Sequence, residues 1–426
     1  MSAEIKKINN EKIGEEYYEI KHDSGLTLLF APNTYTASFA VIAARFGSID
    51  TTFKYEGKTY ETPDGTAHFL EHKLFETEDG GDAFDLFAKT GASSNAYTGF
   101  TSTAYLFSSS YEFYRSLEIL LDFVTHPHFT ERSVEKERGI IAEELNSYED
   151  SPGNRCYFEL LRCLYKNHPV RCDIGGTVES IKQITPEHLY LCHRAFYTPE
   201  NTVLAVSGDL DAGKIIKILD KYMKKGGAAA VPVYPREPSK AYKKQSVTAM
   251  QTAQPLFCFG VKDPCVPSDP LQRYRRGLAL SVIADMYFGQ SSELYTGLYE
   301  SGLINGDISA DYSYSDSYGH FVLSGESSRP FTVKRRIKEQ IKKIKEEKIN
   351  GADFELCKKI FYSGFIGSLQ NSQSYAYEML YAYLDGHGLL SYPDDIRSLT
   401  AEYAYGVFDS VFMDGQYAFS LVRPIE

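Results

Sequence analysis

Ser-Ile-Lys-Gln-Ile-Thr-Pro-Glu, residues Ser180 to Glu187, returns 215 residues later as Asp-Ile-Arg-Ser-Leu-Thr-Ala-Glu, residues Asp395 to Glu402. At the same offset, Thr202-Val-Leu-Ala-Val-Ser falls on Tyr417-Ala-Phe-Ser-Leu-Val. In the first copy Ile181, Ile184 and His188 follow helical spacing, and Thr202 to Val206 is a short β-rich run. Each copy therefore reads as a Thr-initiated helix, an aromatic turn and a final apolar strand. Fixed-offset similarity of this kind marks an internal repeat. Between the copies lies Lys224 to Gln245, where Lys-Lys-Gly-Gly-Ala-Ala-Ala is followed by Pro232, Pro235 and Pro238 without a hydrophobic period. That composition predicts a partly extended linker. The expected organisation is 1–223 as a first domain, 224–245 as linker and 246–426 as a homologous second domain.

Strands are expected at Leu26 to Ala31, Phe39 to Phe46 and Thr103 to Ser108, and helices at Phe113 to Val124, Glu131 to Asn146 and Gly153 to Tyr165. The second half repeats the theme with strands at Leu256 to Gly260 and His320 to Ser324. Val333, Ile337, Ile341 and Ile344 mark one apolar helix stripe opposite a Lys- and Arg-rich face. The fold class expected is α+β, with two homologous domains, each a mostly antiparallel sheet with helices packed on one face.

A length of 426 residues suits two domains, and 43% hydrophobic with 24% charged residues suits a globular protein with ample core. Lys+Arg 45 against Asp+Glu 57 leaves a net charge of -12, which argues against nucleic acid as the main partner. The first twenty residues mix Lys and Glu without an apolar signal region, and no run approaches the roughly 18 to 20 apolar residues of a membrane span. Seven cysteines without a Cys-x-x-Cys pair suit a reducing compartment. The expected location is the cytoplasm, with no membrane partner.

His68-Phe-Leu-Glu71-His72 is the sharpest chemical feature. On a helix, His68 and His72 emerge one turn apart on one face, where a single Zn2+ can take both imidazoles. Glu71 lies on the flank of that face, in the inverted order of the His-Glu-x-x-His zinc motif. The same two histidines could instead cap and pack a surface helix. A third ligand is sought in Glu137-Arg-Gly-Ile-Ile-Ala-Glu-Glu144. Glu137 and Glu144 are two helical turns apart, with Ile140 and Ile141 between them on the same face, and carboxylates there are costly unless paired or bound to metal. Glu144 becomes the candidate ligand and Glu137 a carboxylate that orients a ligand, while Glu143 points to solvent. An exposed acidic helix with coincidental spacing is the plainer alternative. His126-Pro-His128 reads as a turn, Cys192-His193 as core filling, and no phosphate-binding glycine loop is present.

Together with Gly47-Ser-Ile-Asp50, Gly65-Thr-Ala, Gly91-Ala-Ser-Ser-Asn95-Ala96-Tyr-Thr98, Thr103-Ala-Tyr105, His168-Pro169 and Gly175, these segments resemble the pitrilysin, insulin-degrading enzyme and mitochondrial processing peptidase family. The resemblance covers nearly all of the first half at motif level and the second half through the repeat, and it is nearest to short bacterial two-domain members. It implies zinc on His68, His72 and Glu144, Glu71 as general base, and Glu137 assisting the site. It also implies a substrate strand added beside Asn95 and Ala96. The function implied is a metallopeptidase, endopeptidase or oligopeptidase, using a Glu-activated zinc-bound water in an enclosed chamber. A noncatalytic peptide-binding or assembly subunit on the same fold is the alternative.

One departure stands out. Family members supply an Arg and a Tyr from a later domain, whereas the corresponding stretch here, Leu298 to Gly306, has Tyr299 at the Arg place and Asn305 or Gly306 at the Tyr place. The resemblance therefore implies a heterodimer with a homologous, zinc-less subunit that supplies the pair; a homodimer or a half-site enzyme with altered chemistry is the second possibility.

Overall fold

The computed structural model describes residues 4–78, 80–306 and 308–425. Its chain forms two compact units. The first comprises the chain up to Leu145, Asp173–Tyr234 and Ile366–Ser391; the second comprises Asn146–Cys172, Pro235–Phe365 and the chain from Tyr392 on.

In the first unit, strands β1 (Glu4–Asn10), β2 (Glu15–Lys21), β3 (Thr27–Pro32), β4 (Ser38–Ala44), β7 (Ser93–Thr98), β8 (Thr103–Ser109) and β9 (Thr202–Gly208) form a sheet in the order β1-β2-β3-β9-β4-β8-β7. Only the β3–β9 pair is parallel. A small sheet joins β5 (Thr52–Tyr55) to β6 (Lys58–Glu61) and β10 (Val231–Pro232). The second unit holds β11 (Gln245–Met250), β12 (Leu256–Lys262), β13 (Ser309–Tyr314), β14 (Gly319–Glu326) and β15 (Tyr417–Pro424), in the order β11-β15-β12-β14-β13.

The repeat is visible strand by strand. β9 lies between a parallel and an antiparallel neighbour, and so does β15. Thr185 caps the helix Pro186–Phe196 by accepting from the His188 N–H, and its counterpart Thr400 caps Ala401–Val411 from the Tyr403 N–H. A hydroxyl at that position satisfies one of the four orphan donors of a helix start.

Helices α1 (Thr66–Leu74), α2 (Ala83–Thr90), α3 (Phe113–Thr125), α4 (Glu131–Glu149) and α5 (Pro152–Leu164) follow in chain order. Helices on one face, as expected, make the main layer of each sheet. Each of the two larger sheets also carries a helix on its other face, taken from the opposite half of the chain. In the first unit, Ala40 and Ile42 of β4 join the core under the main helices, while Phe39 turns the other way, 5.3 Å ring to ring from Tyr377 of the helix Ser372–Asp385. In the second unit, Phe257, Phe259 and Val261 face the main core. Gly260 faces α5, and a Cβ there would lie within 3.0 Å of Leu160. Sheets covered on both faces need continuous apolar strands rather than alternating ones, and β9 is buried at every position.

The chain order expected from the linker is thus not the order of the compact units, since 146–172 and 366–391 lie in the unit of the other half. The linker is tied at both ends. Ala230 N–H donates to the Ala195 carbonyl, Val231 pairs with Lys54, and the Tyr234 hydroxyl donates to Asp50. Further on, Glu237 accepts from the backbone N–H groups of Lys166, Asn167 and His168 and from Lys262 Nζ. The Lys- and Glu-rich N-terminal stretch forms β1 and β2, with Tyr17 and Ile20 buried. Among the described residues no helix is long and apolar enough to cross a membrane.

Three buried histidines away from the conspicuous motif set a pH limit on this fold. Burial pushes His168 and His193 down to about 4, with the Val124 carbonyl partly opposing it at His193. His320 falls to about 3, again by burial and then by His168. All three lie below the ordinary value of 6.5, so the unfolded chain binds more protons below that pH. Their contribution is intact above pH 6.5 and is lost as pH falls toward 4, by about 1.4 kcal/mol per pH unit per histidine. Urea midpoints measured at about pH 7.5 and about pH 5 should fall accordingly, and His320→Asn should flatten the dependence. An unchanged midpoint would count against burial of these rings in neutral form.

Candidate metal centre

α1 begins at Gly65, which is in the left-handed region at φ 88°. A Cβ at Gly65 would lie 2.2 Å from the Gly175 carbonyl oxygen, and one at Gly176 would lie 2.4 Å from the Asp64 carbonyl oxygen. Two backbones meet there with no room for side chains, and this contact seats the start of α1 against the loop that follows Asp173. From that anchor Phe69, Leu70 and Leu74 point into the core, which turns His68 and His72 to the opposite side. Their rings lie 4.6 Å apart.

α4 brings the carboxylates. Glu144 places Oε1 3.8 Å from His68 Nε2 and Oε2 3.4 Å from His72 Nε2. One ligand atom from each of His68, His72 and Glu144 lies within 4.8 Å of the others, and among the described residues this is the one such trio. Glu137 sits two turns earlier and meets the far side of the His72 ring, with Oε1 3.1 Å from Nδ1. Glu143 is exposed, as expected. Ile140 is not on the buried face: it is 50% exposed, while Ile141 is fully buried. The 100° step between neighbours puts only Ile141 in the buried stripe.

Burial drives the electrostatics. It presses His68 down to about 4, helped by the neighbouring His72, so the ring is neutral at physiological pH with its lone pair available. At His72 burial is outweighed by the hydrogen bond it donates to Glu137 and by the charges of Glu71, Glu137 and Glu144, and its affinity for a proton rises. Glu137 is held below the usual carboxylate range because His72, then Lys73, overcome its own burial. Two imidazole nitrogens and a carboxylate oxygen converging on one point form a donor set suited to zinc, with room left for a further ligand.

Glu71 lies beside the trio, 8% exposed. Burial raises its proton affinity, against the opposing hydrogen bond from Thr98, whose hydroxyl donates to Oε2 at 2.5 Å. Thr98 ends β7, the edge strand of the first sheet, which among the described residues pairs only with β8. Asn95 and Ala96 stand on the same strand. Asn95 is exposed, and its Oδ1 accepts from the Ala96 N–H at 2.9 Å. The structure therefore brings together His68, His72, Glu144, Glu137 and Glu71, and places Asn95 and Ala96 on the strand whose end touches Glu71. Sequence reasoning missed Thr98 as the partner of Glu71. The available signal was strand alternation, because Thr98 shares a face with Ala96.

The other candidates fall outside the site. His126 ends α3 as an exposed cap, and His193 is buried, with Nε2 2.8 Å from the Val124 carbonyl. Tyr299 lies on the helix Glu293–Glu300 and is 55% exposed.

Comparison with known proteins agrees with this geometry. Residues 55–178 match the insulinase (peptidase family M16) domain, and residues 183–361 match the domain described as the peptidase M16 inactive domain. An uncharacterised zinc protease of Bacillus subtilis, YmfH, is 38% identical over 389 residues, covering 89% of this chain and 90% of the relative. The crystal structure of an M16-like peptidase from Alicyclobacillus acidocaldarius superposes with a TM-score of 0.91 at 32% identity, covering 100% of this chain and 99% of that one. Pitrilysin shares the fold at a TM-score of 0.76 and 16% identity, with 99% of this chain matching 47% of pitrilysin. This chain belongs to the insulinase family of M16 peptidases.

Proposed function

We propose that the chain is a zinc-dependent peptidase in which His68, His72 and Glu144 hold the metal and Glu71 carries the proton. The observation that supports it most is the convergence of the three donor atoms within 4.8 Å beside a buried carboxylate. A zinc ion held there would supply a Lewis acid able to polarise a peptide carbonyl and to make adjacent water easier to deprotonate. Thr98 occupies Oε2 of Glu71 and leaves Oε1 to take a proton from water and return it to the leaving amine. Glu137 accepts from His72 Nδ1 and so fixes the tautomer that keeps the Nε2 lone pair toward the metal. Replacing Glu137 by Gln removes that charge, and zinc affinity in competition with a chelator should weaken about 10- to 100-fold.

The substrate is a peptide in extended form, adding to the free edge of β7. To pair with Ala96 it displaces the Asn95 side chain from the Ala96 N–H, which makes Asn95 and Ala96 the first contacts. Recognition through backbone groups tolerates many sequences. The odd number of cysteines supports action in a reducing compartment, the cytoplasm.

The chain matches about half of pitrilysin, and its Leu298 to Gly306 segment carries no Arg. Both support a heterodimer in which a homologous, zinc-less subunit completes an enclosed chamber and supplies the missing Arg and Tyr. A homodimer is the second arrangement. Cleavage of a quenched peptide library by the zinc-loaded chain, alone and after mixing with a co-purified homologous subunit, tests this. Activity only in the mixture is expected. Full activity of the single chain overturns the heterodimer, and no chelator-sensitive cleavage in any mixture overturns the peptidase in favour of a noncatalytic binding subunit.

A further inference from the structure

The second unit contains a chemical feature unrelated to the metal trio. α5 lies across β11, β15 and β12, and its Cys156 sits over the β12–β15 pair with Sγ 3.6 Å from the carbonyl oxygens of both Leu256 and Ser420. Ser420 is directly opposite Cys258 in that pair. The neighbours of Cys258 on β12, Phe257 and Phe259, point into the main core. Alternation along the strand therefore turns the Cys258 thiol toward α5, the side on which Cys156 sits. Both residues line one cavity of about 530 Å³, together with Tyr157, Ser324 and Glu326. They are otherwise closed off, at 1% and 4% exposure.

We propose that Cys156 and Cys258 form an oxidisable dithiol that small hydroperoxides entering this cavity convert to a disulfide between α5 and β12. The two sulfurs have different roles. The Cys258 thiol is the chief group that stabilises the Cys156 thiolate against its burial, whereas Cys258 is driven the other way by Cys156 and by burial. Cys156 is the attacking thiolate. Its sulfur takes the terminal hydroxyl oxygen of the hydroperoxide, the O–O bond breaks, and the alcohol or water leaves with the proton. The resulting sulfenic acid is attacked by Cys258, an S–S bond forms and water departs. Two thiols are oxidised and one hydroperoxide is reduced. The bond staples the segment 146–172, which the first half of the chain contributes to the second unit, onto the sheet it covers. Closing so long a loop restricts the unfolded chain. Cys265 is exposed, and Cys172 and Cys357 are half-buried.

The test treats the full-length protein with hydrogen peroxide at a small molar excess, blocks free thiols and maps the cysteines by mass spectrometry. Wild type should lose two of its seven titratable thiols, with one linked peptide pair, Cys156 to Cys258, lighter than the reduced pair by two hydrogens. Its urea midpoint should rise on oxidation and return with dithiothreitol. Cys258→Ala should stop at a Cys156 sulfenic acid that dimedone captures, and Cys156→Ala should show neither product; both substitutions remove only a sulfur, and circular dichroism checks their folding. Oxidation that falls on Cys265 first, or that yields no Cys156–Cys258 link while Cys156 is consumed, overturns the proposal.

Discussion

Glu71→Gln should lower the rate of peptide cleavage by about 10²- to 10⁴-fold while zinc content stays at the wild-type level. Glutamine keeps the shape of the side chain, and its carbonyl oxygen can still accept from the Thr98 hydroxyl. What it loses is the ability to take a proton. Removal of a group that acts only in the transition state depresses kcat and kcat/KM together and leaves KM nearly unchanged. Thr98→Val should act in the same direction with a smaller effect, because the carboxylate remains but is no longer held at one oxygen. A Glu71→Gln protein that cleaves at the wild-type rate removes Glu71 from the chemistry.

Gly65→Ala should destabilise the first unit by about 3 kcal/mol or more and loosen the metal site with it. Two costs combine. Alanine at φ 88° sits in the left-handed region, at roughly 1–2 kcal/mol, and its Cβ would stand 2.2 Å from the Gly175 carbonyl oxygen. The neighbour is backbone, so no side-chain rotation relieves the clash, and either α1 or the loop after Asp173 must move. Both carry or adjoin His68. Urea denaturation together with zinc affinity reads the effect. Ala at Gly57, also at positive φ but with nothing within 4 Å, is the control and should cost only the backbone term. Equal effects at the two positions would remove the close contact from the account.

How much of this was legible follows from the physics of each element. The repeat could be read because it rests on local signals, a Thr cap and an apolar strand, and both survive at an offset of 215 residues. The His68–Glu71–His72 turn and Glu144 could be read because helical spacing places side chains without reference to the rest of the fold. Ile140 was misread for a related reason. Two adjacent isoleucines cannot both lie under one narrow stripe, and the sequence does not say which of them does.

The exchange of helices was not legible. α5 shows a buried run of Cys156, Phe158, Leu160, Leu161, Cys163 and Leu164, which announces a helix with a partner but does not name the sheet. Thr98 shows no role in the sequence, because a threonine on an edge strand gains its meaning only from the carboxylate it meets. Gly65 and the Gly175-Gly176 pair stand in the sequence without any sign that they meet. Their necessity lies in a backbone contact across 110 residues, which no period in the sequence encodes.

The account turns on whether His68, His72 and Glu144 act as one ligand set. The most direct measurement is the metal content of the purified full chain by plasma mass spectrometry, taken alongside Glu144→Ala and His68→Ala proteins whose folding is verified by circular dichroism. The account predicts a single zinc ion per wild-type chain and its loss from both variants. A folded wild-type chain that binds no zinc after reconstitution, or variants that retain the wild-type content, would contradict it.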